Sequence, residues 1–371
     1  MSHILTINAG SSSVRFAIFS RGSRPARLLN GKLDRIGNEA AAVTADRLAQ
    51  RLKAETSMPP PAAIGHRVVH GMLHTQPERV SPALITELRR IASFDPEHLP
   101  REIELIEALG RHFPDVPQVA CFDTAFHRSM PAVATLLPIP RRYAAKGVQR
   151  YGFHGLSYTF LMQELVRLGD RAASQGRVIL AHLGNGASLA AVLDGRCIDT
   201  SMGFTPAAGL VMGTRSGDLD PGLMSYLMLT ESMDAAQFQL MVNEESGLIG
   251  ISETSADVRD LLEREGTDSR ARDALAIFCY QARKWIGAFT AALGGVDSLV
   301  FAGGIGENAA PVRRRICDGL QCLGIELDDS LNDRHAARIS RGRVAVQVIR
   351  TDEESVIASL TAQCLGLSTE D

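Results

Sequence analysis

The amino-acid sequence predicts an α/β fold made of two similar halves. Runs with the period of a strand alternate with runs of helical period along the whole chain. One pattern, strand, small-residue turn, strand, stands at the head of each half, as ILTINAGSSSVRFAIF and VILAHLGNGASLAAVLDG. The length of 371 residues suits two or three domains at about 150 residues each.

The elements follow in order. Ile4 to Phe19 holds two apolar runs about Asn8, Ala9, Gly10 and three serines, which reads as a hairpin. Small residues are what a sharp turn needs. The same turn also exposes N–H groups and hydroxyls to an anion such as phosphate, and this stretch alone does not choose between the two. The Pro-rich Ser57 to Ala63 reads as an insertion, AIGHRVVHG as a strand closed by glycine, and PREIELIEALG as a helix with Ile103, Ile106 and Leu109 on one face. PQVACFDTAFH reads as a buried strand leading to Asp123, and SYTFLMQELVRL as a helix. RVILAHLGNGASLAAVLDGRCIDT gives strands about a Gly-Asn-Gly turn and an Asp194-Gly195 turn, the strongest short hairpin signals. The helix DALAIFCYQARKWIGAFTAALGG stops at two glycines before the strand SLVFAGG.

Composition excludes several classes. Net charge of -3 leaves no surplus of basic residues for a nucleic-acid footprint. No stretch approaches the roughly 18 apolar residues of a membrane span, and no basic segment and apolar core opens the chain. A cytoplasmic protein is expected. Cys121, Cys197, Cys279, Cys317, Cys322 and Cys364 lack the C-x-x-C spacing of a zinc site and read as reduced.

In FAGGIGENAAPVRRRI a strand runs into a glycine turn and then a helix with Pro311 near its start. Gly304-x-Gly306-x-x-Ala309 formally matches the dinucleotide fingerprint, but lies late in the chain, and the acidic residue about 20 positions on, Glu326, does not end a strand. A dinucleotide-dependent oxidoreductase and a simple close-packed turn are the alternatives. Arg67, Arg215, Asp123, His154 and Glu353 accompany these turns at element ends. Phosphoryl transfer needs such a set: cations for the equatorial oxygens and carboxylates for Mg²⁺ or the nucleophile. Each alone also reads as an ion pair, a cap or a core histidine.

Nine blocks appear in order from residue 4 to about 357: NAGSSSVRF, GHRVVHG, CFDTAFH, YGFHGLS, HLGNGASL, DTSMGFTP with GLVMGTRSGDLDPG, SGLIGISETSADVRDL, GGIGEN and TDEE. Together they resemble the acetate kinase family. That resemblance implies two duplicated ribonuclease-H-like domains, of the actin, sugar-kinase and Hsp70 type, facing a nucleotide cleft. Residues 1–147 would form the acyl-substrate side, with a C-terminal helix 355–371 packing back on it, and 148–354 the nucleotide side. It implies Mg-dependent, reversible, in-line transfer of the ATP γ-phosphoryl group to acetate, giving acetyl phosphate and ADP, in a homodimer. Mn²⁺ is the alternative metal. A propionate or other short-chain carboxylate kinase, and a catalytically silent nucleotide-binding regulator, are the alternative functions.

By the same resemblance Asp123, His154 and Arg215 are catalytic, and Arg67, Val69, His98, Phe153 and Pro206 bind the acyl substrate. Ser11, Ser13, Arg15, His182, Leu183, Gly184, Asn185, Gly186, Asp257, Val258, Arg259, Gly304, Ile305, Gly306, Glu307 and Asn308 bind nucleotide, and Asn8 and Glu353 position the metal. Three departures stand out. Arg15 replaces the family's usual lysine, TDEE replaces TNEE, and DPEHLP replaces Ala-Pro-Leu-His-Asn-Pro. The last change sets Glu97 where an apolar acyl-pocket residue belongs. A carboxylate facing the acyl methyl group would be costly unless paired, so Glu97 implies a shifted loop or a larger, more polar substrate.

Overall fold

In the computed structural model the strand and helix signals become two α/β units. The structure describes residues 3–10, 13–22, 25–34, 39–55 and 59–367. Unit 1 comprises Met1–Arg128, Gly155–Phe160 and Asp352–Asp371, and unit 2 Ser129–His154 and Leu161–Thr351. Ser11, and Ser57 and Met58 of the Pro-rich stretch, lie outside the described residues.

In unit 1, β1 (His3–Ala9), β2 (Ser13–Ser20), β3 (Arg27–Asp34), β4 (Ala63–Val68), β5 (Glu78–Arg79) and β6 (Gln118–Phe122) form one sheet in the order β3-β2-β1-β4-β6-β5. The opening hairpin is present, with β1 and β2 antiparallel from His3↔Ser20 to Ala9↔Val14. β1 is buried along its whole length because it is central and covered on both faces. Leu5, Ile7 and Ala9 pack with residues of helices Ala41–Glu55 and Leu99–His112. Ile4 packs oppositely with Ala358 and Ala362 of the C-terminal helix Glu353–Cys364. That helix approaches so closely that a Cβ on Gly65 would stand 2.2 Å from Thr361 Oγ1. Only glycine fits there.

In unit 2, β7 (Arg177–Leu183), β8 (Ala187–Leu193), β9 (Arg196–Thr200), β10 (Ser298–Ala302) and β11 (Ala345–Val348) take the order β11-β10-β7-β8-β9. The β7–β8 register closes at Leu183↔Ala187, leaving Gly184, Asn185 and Gly186 as the turn. Asp194 and Gly195 both take positive φ, 48° and 76°, as a two-residue hairpin turn of primed type requires. Helix Ser269–Leu293 packs on β7 and β8 and ends at Gly294, φ 68°, the left-handed position that favours glycine.

The two orders coincide once β5 is set aside. In each sheet three antiparallel strands lead to two parallel ones, so β1 with β2 and β7 with β8 hold equivalent places. The internal repeat read from the turns is a repeat of whole sheets.

The chain passes to unit 2 at Ser129, ahead of the 147/148 boundary suggested by the sequence. The reason lies in its polar groups. The Ser129 hydroxyl donates to the Cys197 carbonyl (2.8 Å), and the Arg150 guanidinium to the Thr200 and Met202 carbonyls (3.0 Å each). GGIGEN also differs from expectation. Its six residues form a helix of their own, Gly303–Asn308, directly after β10.

Candidate active site

The sequence-selected residues fall into two sets, one in each unit. In unit 1 the set gathers at the ends of β1, β4 and β6. Arg67 on β4 donates from Nε and Nη2 to Oδ2 of Asp123 (2.9 and 2.6 Å) and from Nη1 to the Ala9 carbonyl (3.1 Å). Asp123 is fully buried and opens a short 3₁₀ turn after β6. Gly155 is required beside it, since a Cβ there would fall 1.9 Å from the Asp123 carbonyl oxygen.

Asn8, at the end of β1, donates from Nδ2 to Glu353 Oε2 (2.8 Å) and Glu354 Oε1 (3.2 Å). Burial pushes both carboxyls above their usual range. For Glu353 the Arg67 charge opposes that rise and the Asp123 charge adds to it; for Glu354 the neighbouring Glu353 adds to it. Ser13 begins β2 and accepts from the Gly10 N–H at its carbonyl (2.8 Å), while exposed Arg15 pairs across strands with Asn8.

A metal fits this surplus of buried negative charge, with Asn8 and Glu353 as the side chains that would hold it. Among the described residues no group of three or more His, Cys, Asp or Glu side chains encloses a cation site.

Val69 is buried beyond Arg67, and its N–H donates to Glu102 Oε2 (3.0 Å). His98 Nδ1 meets Asp95 Oδ1 at 2.9 Å. Burial raises the Asp95 carboxyl, but His98 outweighs it and holds Asp95 below its usual range. The expectation for Glu97 is corrected: its side chain is exposed, and the buried acids of this segment are Asp95 and Glu102. The segment forms a turn before helix Leu99–His112, which directs residues 95, 98 and 102 inward and 97 to solvent.

In unit 2 the set centres on the β7–β8 turn. His154 takes φ 59°, stacks on His182 (centroids 4.3 Å apart) and places Nδ1 2.9 Å from Ser188 Oγ. A Cβ on Gly186 would stand 3.3 Å from His154 Nε2 and 3.6 Å from Arg215 Nη1. The glycine thus lets two cationic or proton-bearing side chains lie against the turn backbone. Gly213 donates to the Asn185 carbonyl (2.9 Å), fastening the Arg215 loop to the same turn.

Gly184 approaches the Gly303–Asn308 helix, a Cβ there lying 3.9 Å from the Gly304 N. Glu307 Oε1 accepts from the Gly303 and Thr351 N–H groups (3.0 and 3.1 Å), and Asn308 Nδ2 donates to the Gly304 carbonyl (2.9 Å). Asp257 caps helix Val258–Arg264 and pairs with exposed Arg259, while Val258 is buried. Phe153 is a core residue and Pro206 half-buried.

Four residues that the sequence reading did not select belong to these sets. Ser188 orients His154, and Glu354 shares Asn8 with Glu353. Glu102 supports Val69. Fully buried Arg313 donates to the Gly306 and Glu307 carbonyls (2.9 and 3.0 Å). Adjacency to Glu353 was the available signal for Glu354. Arg313 stands in the run Arg313-Arg314-Arg315, which reads as a solvated charged face.

A duplicated α/β fold with glycine turns, arginines and buried carboxylates at its strand ends defines a phosphotransferase of the actin-like kind. The model of the Acetokinase family matches residues 38–359. An acetate kinase of Rhodopseudomonas palustris is 40% identical over 96% of both chains. Among solved structures, the acetate kinase of Porphyromonas gingivalis superposes with a TM-score of 0.89 at 32% identity, over 98% of this chain and 100% of the other. A propionate kinase from Francisella tularensis gives 0.88 at 34% identity over the same shares. The chain belongs to the acetokinase family, whose members are phosphotransferases with a carboxyl group as acceptor.

Proposed function

We propose that the protein transfers the γ-phosphoryl group of ATP to acetate, reversibly and in line, giving acetyl phosphate and ADP. The observation that carries the reading is the convergence of His154, Arg215 and the Gly186 backbone in unit 2, a group of donors suited to the equatorial oxygens of a transferring phosphoryl. Acetate needs no general base, being an anion at neutral pH.

In unit 1, Arg67 takes the substrate carboxylate, since a planar guanidinium grips two oxygens at once. Asp123 holds Arg67 in place and orients the acceptor. Val69 and His98 bound the acyl group, a role the family likeness also gives to Phe153 and Pro206 of unit 2. In unit 2, His154, oriented by Ser188, and Arg215 stabilise the transferring phosphoryl group. The turn His182–Gly186, the helix Gly303–Asn308 and Asp257, Val258 and Arg259 take the nucleotide, with Ser11, Ser13 and Arg15 on its phosphate side. Asn8 and Glu353 hold Mg²⁺, or Mn²⁺ in its place, which supplies charge neutralisation on the phosphates. Unit 1 is thus the acyl-substrate side and unit 2 the nucleotide side.

The protein acts as a cytoplasmic homodimer, with no nucleic acid or membrane as partner. Exposed Tyr226 and Leu229, one turn apart on helix Gly222–Thr230, form an apolar patch that supports self-association. Among the described residues no helix is long and apolar enough to cross a membrane.

Propionate is the second reading, favoured by the likeness to the Francisella tularensis propionate kinase. One methylene is worth only about 1–3 kcal/mol of discrimination. Acyl phosphate trapped with hydroxylamine, from ATP, Mg²⁺ and acetate, propionate or butyrate, ranks the substrates. The reading fails if no acid yields a product, or if Arg67→Ala leaves turnover unchanged.

A further inference from the structure

Glu102 has no place in the reaction as described, yet its surroundings are unusual. It lies in the first turn of helix Leu99–His112 and is 4% exposed. Oε2 is satisfied by the Val69 N–H at 3.0 Å, whereas Oε1 is buried with no hydrogen-bond partner. A buried carboxyl oxygen without a donor is far less costly on a neutral acid than on a carboxylate.

The charged groups that face it come from every neighbouring element. Arg67 on β4 favours its anion, and Asp123 after β6 and Asp95 ahead of the helix oppose it. His70 follows β4, His98 precedes the helix and pairs with Asp95, and Glu353 acts on Arg67 from the C-terminal helix. Burial dominates, so the Glu102 carboxyl is pushed up to about 8.

We propose that Glu102 is a positioning residue for the carboxylate substrate: as a buried neutral acid it leaves the charge of Arg67 to the substrate, and as an anion it competes for that charge. The proposal rests on the reading of Arg67 as the carboxylate-binding residue. Glu102 also fixes the backbone of Val69, two residues beyond Arg67, so one side chain controls both the charge and the wall of the acyl site.

The sign follows from the charge. Raising pH through about 8 ionises Glu102, cancels part of the Arg67 field and weakens carboxylate binding. ATP binding does not draw on Arg67 and stays unchanged.

The test is the KM for acetate of the full-length enzyme at saturating ATP and Mg²⁺, from pH 6.5 to 9.5, for wild type and Glu102→Gln. Glutamine keeps an oxygen for the Val69 N–H and carries no charge. The expected result is a rise in wild-type acetate KM of about fivefold, the lower end of ordinary couplings between sites, with the KM for ATP flat. Glu102→Gln holds the low-pH acetate KM throughout. Glu102→Met is the second uncharged variant should the amide fail to fold. A flat wild-type profile, or the same rise in the uncharged variants, overturns the inference. An unchanged acetate KM in Arg67→Ala overturns instead the assignment of Arg67.

Discussion

Arg67 and Asp123 are joined through one oxygen: the guanidinium sends both Nε and Nη2 to Oδ2 of Asp123, at 2.9 and 2.6 Å. Oδ1 faces the Leu156 N–H at 3.4 Å. Asp123 therefore fixes the plane of the guanidinium and, with Nη1 donating once to the Ala9 carbonyl, one N–H remains on each terminal nitrogen. Those hydrogens are the donors that the proposed grip on a substrate carboxylate would use.

Removing Arg67 strands a buried aspartate. Arg67→Ala is expected to lower stability by about 3 kcal/mol, the usual cost of breaking a buried pair from one side. Arg67→Ala with Asp123→Asn regains part of that loss, because no buried anion remains. Thermal melts of the two single variants and the double variant check this. A double variant no more stable than Arg67→Ala refutes the pair's role in the fold. Arg67→Lys folds but loses about 100-fold in kcat/KM for acetate, since an ammonium cannot reproduce the fork.

His154 and Ser188 act as a unit in which the serine orients the ring. A group that stabilises the transferring phosphoryl lowers kcat when removed, with little change in KM. His154→Asn, which keeps a residue tolerant of the left-handed backbone at φ 59°, is expected to reduce kcat by about 100-fold. Ser188→Ala costs about tenfold, because the ring remains. Steady-state kinetics separate the terms, and an unchanged kcat in His154→Asn removes His154 from the reaction.

Gly186 tests whether close approach matters at the β7–β8 turn. Alanine there would press on His154 Nε2 at 3.3 Å, displacing the ring by a few tenths of an ångström, while meeting Arg215 Nη1 at an ordinary contact distance of 3.6 Å. Misplacement on that scale is expected to reduce kcat by about tenfold with the melting temperature unchanged. Unaltered kinetics would mean that these side chains do not work from the turn.

The hairpins and glycine turns were legible because strand alternation and turn chemistry are local. Arg67 was legible as a cation within the short strand AIGHRVVHG, and Asp123 as the acid that ends the apolar run QVACF. Side-chain direction was not legible. The block DPEHLP carries positions by likeness, but the inward turn of residues 95, 98 and 102 arises from how the helix start docks on β4. Glu102 itself stands beside Ile103 among alternating acids, which reads as a solvated face. Ser129–His154 joined unit 2 through hydrogen bonds to distant carbonyls, a non-local choice that no window of sequence contains.

The exposed face of helix Gly222–Thr230 predicts the oligomeric state. Leu229 is 86% exposed and Tyr226 60%, an arrangement expected to be covered by a second copy. Light scattering of the wild type should give the mass of a dimer, and Leu229→Glu with Tyr226→Glu that of a monomer. A monomeric wild type defeats the assignment.

His66 and His70 make unit 1 sensitive to acid. Both are buried, and burial pushes each ring down to about 4, against the pull of Gln118 on His66 and of the Asp95 charge on His70. His66 sits on β4 with Nε2 2.6 Å from Gln118 Oε1, and His70 Nδ1 accepts the Met72 N–H at 3.1 Å, so each neutral ring is held by its neighbours. In the unfolded chain both titrate near the ordinary value of about 6.5. As pH falls below that value the unfolded state takes up protons that the folded state refuses. Stability is therefore undiminished above about 6.5 and is lost progressively down to about 4, by at most ~3 kcal/mol per histidine. The paired carboxylate Asp95, held below its usual range, contributes its loss only at lower pH, so the two causes separate along the pH axis. The buried carboxyls of Glu102, Glu353 and Glu354, raised by burial, act in the opposite sense over this range, so the check is the difference between proteins: as pH falls from 7.5 to 4.5, His66→Gln should gain in melting temperature relative to wild type. A difference that stays constant over that range would show that the His66 ring takes up its proton in the fold as readily as in the unfolded chain.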